Sequence, residues 1–95
     1  MTIKSADAKR SLKSKGFQEI RGRDHYFYFF YVDGKKTSIH AKISHGAKAR
    51  EIDDFILGKI KTTLRLDSNK QAEDLLECPM EEQEFLAFLR EQKTL

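Results

Sequence analysis

The sequence predicts an α+β fold: a short helix, a three-stranded antiparallel sheet, a second helix, and then two C-terminal helices, α-β-β-β-α-α-α. Three observations predict it. Residues 25–32, HYFYFFYV, are an uninterrupted run of β-favouring side chains. Asp33-Gly34, the dipeptide of a type I′ hairpin turn, follows at once, and residues 35–43 answer as a return strand. Before this hairpin and after it, apolar residues recur at helical spacing.

The first helix is expected to begin at Ser5 as N-cap, with Ala8 and Leu12 on one face, and to stop at Gly16. Residues 17–21, FQEIR, read as a short strand, and Gly22 to Asp24 turn the chain into the hairpin. A two-residue loop sets Val32 opposite Lys35, Tyr28 opposite Ile39 and Tyr26 opposite Ala41, the expected core face. On the other face Phe29 meets Ser38, Phe27 meets His40 and His25 meets Lys42. A one-residue slip would exchange the two faces. Phe27, Phe29 and Tyr31 on that second face make an apolar patch that needs cover. The candidates are the C-terminal helices, a second copy of the chain, a partner protein or stacked bases.

Residues 44–49 connect to a helix over about residues 50–64, with Ile52, Phe55, Ile56, Ile60 and Leu64 as its apolar stripe. Asp53 and Asp54 in its first turn, and Lys59, Lys61 and Arg65 towards its end, suit the helix dipole. Ser68 is a candidate cap for a third helix carrying Ala72, Leu75 and Leu76, which Cys78-Pro79 breaks. A fourth helix runs from Met80 to about Gln92 with Phe85, Phe88 and Leu89 on one face.

Ninety-five residues bound the chain to one compact core, here divided into a domain over residues 1–66 and an acidic helical extension over 67–95. The extension is expected to pack on the same domain or on a partner. No apolar run approaches the length of a membrane span, and the N-terminal residues lack a signal peptide's apolar stretch, so the expected location is cytoplasmic. The single cysteine, Cys78, has no partner for an internal disulfide. Charge is unevenly divided: residues 1–50 hold 12 basic and four acidic residues, a net of +8, and residues 51–95 hold six and 11, a net of −5. Either the two halves neutralise each other within one fold, or the basic half meets a polyanion. Aromatic residues interleaved with the cations suit single-stranded RNA better than duplex DNA, because unpaired bases stack on rings.

The chemistry-bearing candidates are histidines. His25 opens a strand just after Arg21, Arg23 and Asp24, where an imidazole exchanges protons and arginines hold a phosphate. Ser44-His45-Gly46 precedes a helix, with Lys48 and Arg50 close behind, a setting that favours an anion. Each also has a plain alternative: a strand-start histidine can simply solvate a sheet end, and a glycine loop can simply turn. His40, mid-strand, is expected as a sheet-face residue that meets RNA. The histidines and Cys78 show no zinc spacing, and no P-loop, dinucleotide fingerprint or nucleophile elbow is present.

A helix ending in Lys15-Gly16-Phe17, an arginine-rich turn ending in Asp24-His25, and an aromatic strand come in that order. A hairpin with Gly34 to Thr37 and a Ser44-His45-Gly46 step into a helix follow. Together these resemble HicA-type toxins, small mRNA interferases of type II toxin-antitoxin systems with a double-stranded-RNA-binding-like α-β-β-β-α fold. The likeness covers residues 5 to about 66. It implies His25 and His45 as catalytic residues; taken with the charge and face readings above, Arg21, Arg23, Lys42, Lys48 and His40 are expected on the RNA, with no metal or other cofactor. It also implies RNA and a cognate antitoxin as partners, with a homodimer as a further arrangement and no membrane. The function expected is that of an RNA-binding, metal-independent mRNA endoribonuclease. The alternative is a non-catalytic RNA-binding or protein-interaction module on the same scaffold.

Overall fold

The computed structural model describes residues 3–23, 25–44, 51–77 and 80–93. The expected Asp24 turn position, the His45-Gly46 step with Lys48, and the Cys78-Pro79 break lie outside the described residues. Elements run in the order β1 (Ile3–Lys4), α1 (Ser5–Ser14), β2 (Phe17–Arg21), β3 (His25–Val32), β4 (Lys35–Ser44), β5 (Glu51–Ile52), α2 (Asp54–Thr63), α3 (Asn69–Glu77) and α4 (Glu82–Glu91). The fold is α+β, with β2-β3-β4 as an antiparallel three-stranded sheet. None of the described helices is long and apolar enough to cross a membrane.

The pair β1–β5 is an addition to the expected order. It joins Ile3 to Ile52 and Lys4 to Glu51, and two residues per strand are too few to show alternation in sequence. The pairing moves two helix starts. Lys4 stays extended, so Ser5 is the first buried residue of α1 and not its cap, and Lys4 makes no side-chain cap bond. Extended residues 51–52 delay α2, and Asp53 becomes its N-cap, accepting the Ile56 N–H at 2.9 Å.

Gly16 takes the left-handed conformation at φ +89° that ends α1, and its carbonyl accepts Tyr31 N–H at 3.1 Å. The hairpin turn has φ 51° at Asp33 and 78° at Gly34, both positive as a type I′ turn requires. Register follows the expectation near the turn, with Val32 on Lys35 and Tyr31 on Lys36. A bulge then sets Phe30 alone against residues 37–39, and every later pair is shifted by two: Phe29 meets His40, Phe27 meets Lys42, His25 meets Ser44, and Tyr28 meets Ala41. Two residues are one full side-chain period, so both faces keep their expected residues. Thr37 closes the gap in the ladder, its hydroxyl donating to the Phe30 carbonyl at 2.6 Å and accepting from Ile39 N–H at 3.2 Å.

Tyr28, Phe30, Ile39, Ala41 and Ile43 form the buried face, with Phe17 beside Phe30. Ala8 and Leu12 of α1, and Leu57, Ile60 and Leu64 of α2, pack into the same core. Phe55 was expected in the α2 stripe; it is 72% exposed, and Leu57 fills the core in its place. Helix α2 ends with Leu66 N–H on the Lys61 carbonyl and Arg65 N–H on the Thr62 carbonyl, Arg65 taking φ 63°. A reciprocal cap starts α3: the Ser68 hydroxyl accepts Gln71 N–H, while the Gln71 side chain accepts the N–H groups of Asp67 and Ser68.

Helices α3 and α4 join this core. Ala72, Leu75 and Leu76 are buried in it, and the Phe85 ring lies 5.7 Å from Phe17 and 4.9 Å from Phe30. The aromatic stripe of α4 therefore covers the core face of the sheet. Phe27, Phe29 and Tyr31, on the opposite face, stand outside the core cluster and stay partly exposed, so the C-terminal helices are not their cover.

Candidate functional site

The turn before β3 fixes His25. Gly22 N–H donates to the His25 carbonyl at 2.9 Å, and a Cβ on Gly22 would stand 2.7 Å from that carbonyl oxygen. Only glycine lets the chain double back so tightly. His25 then pairs with Ser44 at the end of β4, half-buried on the second face.

A cleft of about 310 Å³ opens there, lined by His25, His40, Lys42 and Ser44 of the sheet and Ile56, Lys59, Ile60 and Thr63 of α2. It brings together three of the residues expected to act, and none of its described lining residues is acidic. His40 is the best-defined member. Its Nδ1 lies 2.8 Å from the Ser38 carbonyl, which can only accept. Nδ1 is therefore the donor in this hydrogen bond. The imidazole also stacks on Phe29, 5.1 Å between centroids at 25°. Phe29 in turn has Phe27 at 6.4 Å and the Lys36 ammonium 4.1 Å from its ring centre. His40 thus belongs both to the cleft and to the open aromatic face.

Arg21 lies elsewhere. It pairs with Tyr26 on the helix side of the sheet, where its guanidinium is 2.8 Å from Glu19 and 5.4 Å from the Tyr26 ring centre. The Glu19 carboxylate also accepts the Tyr28 hydroxyl at 2.6 Å, and Lys13 is 3.4 Å away. The Tyr28 hydroxyl first, then Arg21, hold the Glu19 carboxyl down at about 2, against the opposing effect of burial. Burial, then the Glu19 carboxylate, push the Tyr28 phenol well above its ordinary range. This cluster is structural and separate from the cleft. Arg23 is exposed in the turn, and His45 and Lys48 lie outside the described residues.

Sequence reasoning missed the α2 wall. Lys59 reads in sequence only as a cation suited to the end of a helix, and nothing local shows that α2 borders β4. A larger cleft, about 690 Å³, lies between α1 and α3, and its described lining residues include Asp7, Arg10 and Glu77 but no histidine; Asp7 and Arg10 pair with each other at 3.4 Å. Among the described residues, no three of His, Cys, Asp and Glu come together as metal ligands. Comparisons with protein-family models, with curated proteins and with solved structures return no match.

Proposed function

We propose that this chain is a HicA-like, cytoplasmic RNA-binding protein that cuts single-stranded RNA at His25 by a metal-independent route. The observation that carries this reading is the continuity of two surfaces through His40: one imidazole stacks on the aromatic face and lines the basic cleft. Rings suit unpaired bases and cations suit the phosphates between them. Lys42 stands two residues from Ser44 on the same face as His25, where a cation balances charge developing on phosphate.

The step is an internal transfer. The ribose 2′-oxygen bonds to the adjacent phosphorus while His25 takes its proton. The bond from phosphorus to the 5′-oxygen breaks, and that oxygen leaves with a proton from a second acid, the role reserved for His45. A 2′,3′-cyclic phosphate and a 5′-hydroxyl result. An antitoxin protein that occludes the aromatic face is the partner this reading implies.

The test uses the purified full chain, single-stranded RNA, and EDTA in the buffer. Cleavage is expected, blocked by a 2′-deoxy substitution at the cut site, with His25→Ala slowing it about a hundredfold or more. Binding should weaken steeply with salt, and Lys42→Ala and Arg23→Ala should each flatten that dependence. RNA left intact by excess folded protein would reduce the reading to a non-catalytic RNA-binding module. No binding at low salt would leave a protein-interaction module instead.

A further inference from the structure

Phe55 is the most exposed large apolar side chain among the described residues, at 72%, with Ile20 next at 40%. It is not needed in the core, because Leu57, Ile60 and Leu64 already form the buried stripe of α2 at spacings of three and four. Counting four and seven residues on from Phe55 reaches Lys59 and Thr62, both exposed, so the ring projects from a polar face. Its surroundings are not an apolar patch of the kind that docks a protein. Asp53 and Asp54 lie on its N-terminal side, and the Asp53 carboxylate is bound to Ile56 N–H at 2.9 Å. On its C-terminal side the Lys59 ammonium sits 4.5 Å from the ring centre.

Lys59 ties this ring to the cleft, because Lys59 and Ile56, the residue after Phe55, both line it. The ring therefore stands at the rim of a cleft whose walls carry the Lys42 and Lys59 ammonium groups and two imidazoles, with no acid among its described lining residues. A lone aromatic ring beside cations matches the repeat of a single nucleic-acid strand, base against ring and phosphate against ammonium.

We propose that Phe55 is a base-stacking residue, taking an unpaired nucleobase of the RNA strand whose phosphates lie along Lys59 and Lys42 in the cleft. The proposal rests on the RNA reading above and adds a second stacking site, on α2, to the aromatic face of the sheet. It places the strand across the β4 edge, between sheet and helix.

The experiment uses the full chain and a short single-stranded RNA carrying the fluorescent base 2-aminopurine at successive positions. At one position the fluorescence should be quenched on binding, and Phe55→Leu should abolish that quenching while Phe55→Trp preserves it. Affinity should fall about 5- to 100-fold in Phe55→Leu, with the salt dependence unchanged because no charge is lost. Lys59→Ala should instead flatten the salt dependence. Thermal unfolding of Phe55→Leu should match the parent, because the ring is exposed. Equal RNA affinity of parent and Phe55→Leu would overturn the proposal. So would a change of self-association in Phe55→Leu with RNA binding intact, which would make the ring a protein contact. If the parent binds no RNA at low salt, the RNA reading itself fails and this proposal with it.

Discussion

Glu19 shows how one residue ties strand to helix. Its carboxylate gathers the Tyr28 hydroxyl, the Arg21 guanidinium and the Lys13 ammonium, from β3, β2 and α1. The folded state holds its pKa at about 2, below the ordinary carboxylate value of 4.5. A depressed folded value favours the folded state above the unfolded pKa, and the benefit is lost as pH falls towards the folded one. The stability gap between the parent and Glu19→Gln should therefore be full at neutral pH and shrink between about pH 4.5 and 2. Urea unfolding across that range checks it, and a gap that does not change with pH would mean the carboxylate is not held as described. Tyr28→Phe at neutral pH should cost about 2 kcal/mol, the range for a hydrogen bond to a charged group. His25 was legible as a candidate from its place at a strand start, and His40 as a sheet-face residue. What joins His40 to the site was not, because its partner is the Ser38 carbonyl, and a backbone acceptor leaves no mark in sequence.

At the scale of elements, the hairpin was legible where the physics is local. Asp33-Gly34 sets a turn with two positive φ values, and the alternation of residues 39–43 sets which side chains face inward. The bulge was not legible, because a threonine hydroxyl replacing a ladder bond looks in sequence like any strand threonine. Nor were β1 and β5, which pair across 49 positions of chain between Ile3 and Ile52. The stripe of α2 was misread for a related reason. Both Phe55 and Leu57 fit a helix, and only the neighbouring β4 and α3 decide which is buried. The bulge has a consequence for the cleft: it moves His40 from opposite Phe27 to opposite Phe29, where the two rings stack. Thr37→Val keeps the shape and removes the hydroxyl, leaving the Phe30 carbonyl and Ile39 N–H without their partner. It should cost about 1–3 kcal/mol, while Thr37→Ser should stay close to the parent. Equal stability of Thr37→Val and the parent in urea would show that the hydroxyl does not hold the bulge.

At the scale of the whole molecule, the basic half and the acidic extension meet in one core, and a cation of the first is buried against a backbone carbonyl of the second. The Lys15 ammonium, buried to 1% exposure, donates to the Leu75 carbonyl at 2.7 Å in the last turn of α3, and the Ser11 hydroxyl donates to the same oxygen at 3.0 Å. A cation at a helix C-terminus opposes the negative end of the dipole. Beyond it, the Phe85 ring completes a cluster with Phe17 and Phe30, and a Cβ on Gly16 would come within 2.6 Å of the Glu82 carboxylate. The basic half thus ends its core against the acidic extension, while its other sheet face, with the cleft and the aromatic rings, stays open. Phe85→Ala should accordingly cost about 3–5 kcal/mol, a large part of what a domain of this size has. Deleting residues 67–95 should do more, because it uncovers Leu12, Phe17 and Phe30 and strips the buried Lys15 ammonium of its Leu75 acceptor at once. The shortened chain is expected to aggregate or to show no cooperative unfolding transition. Sedimentation together with thermal unfolding would measure both. A 1–66 fragment that stays monomeric and unfolds at the parent temperature would mean that the apolar stripe of α4 contributes nothing to the core. The open aromatic face would then have to be reconsidered as the place where that stripe belongs.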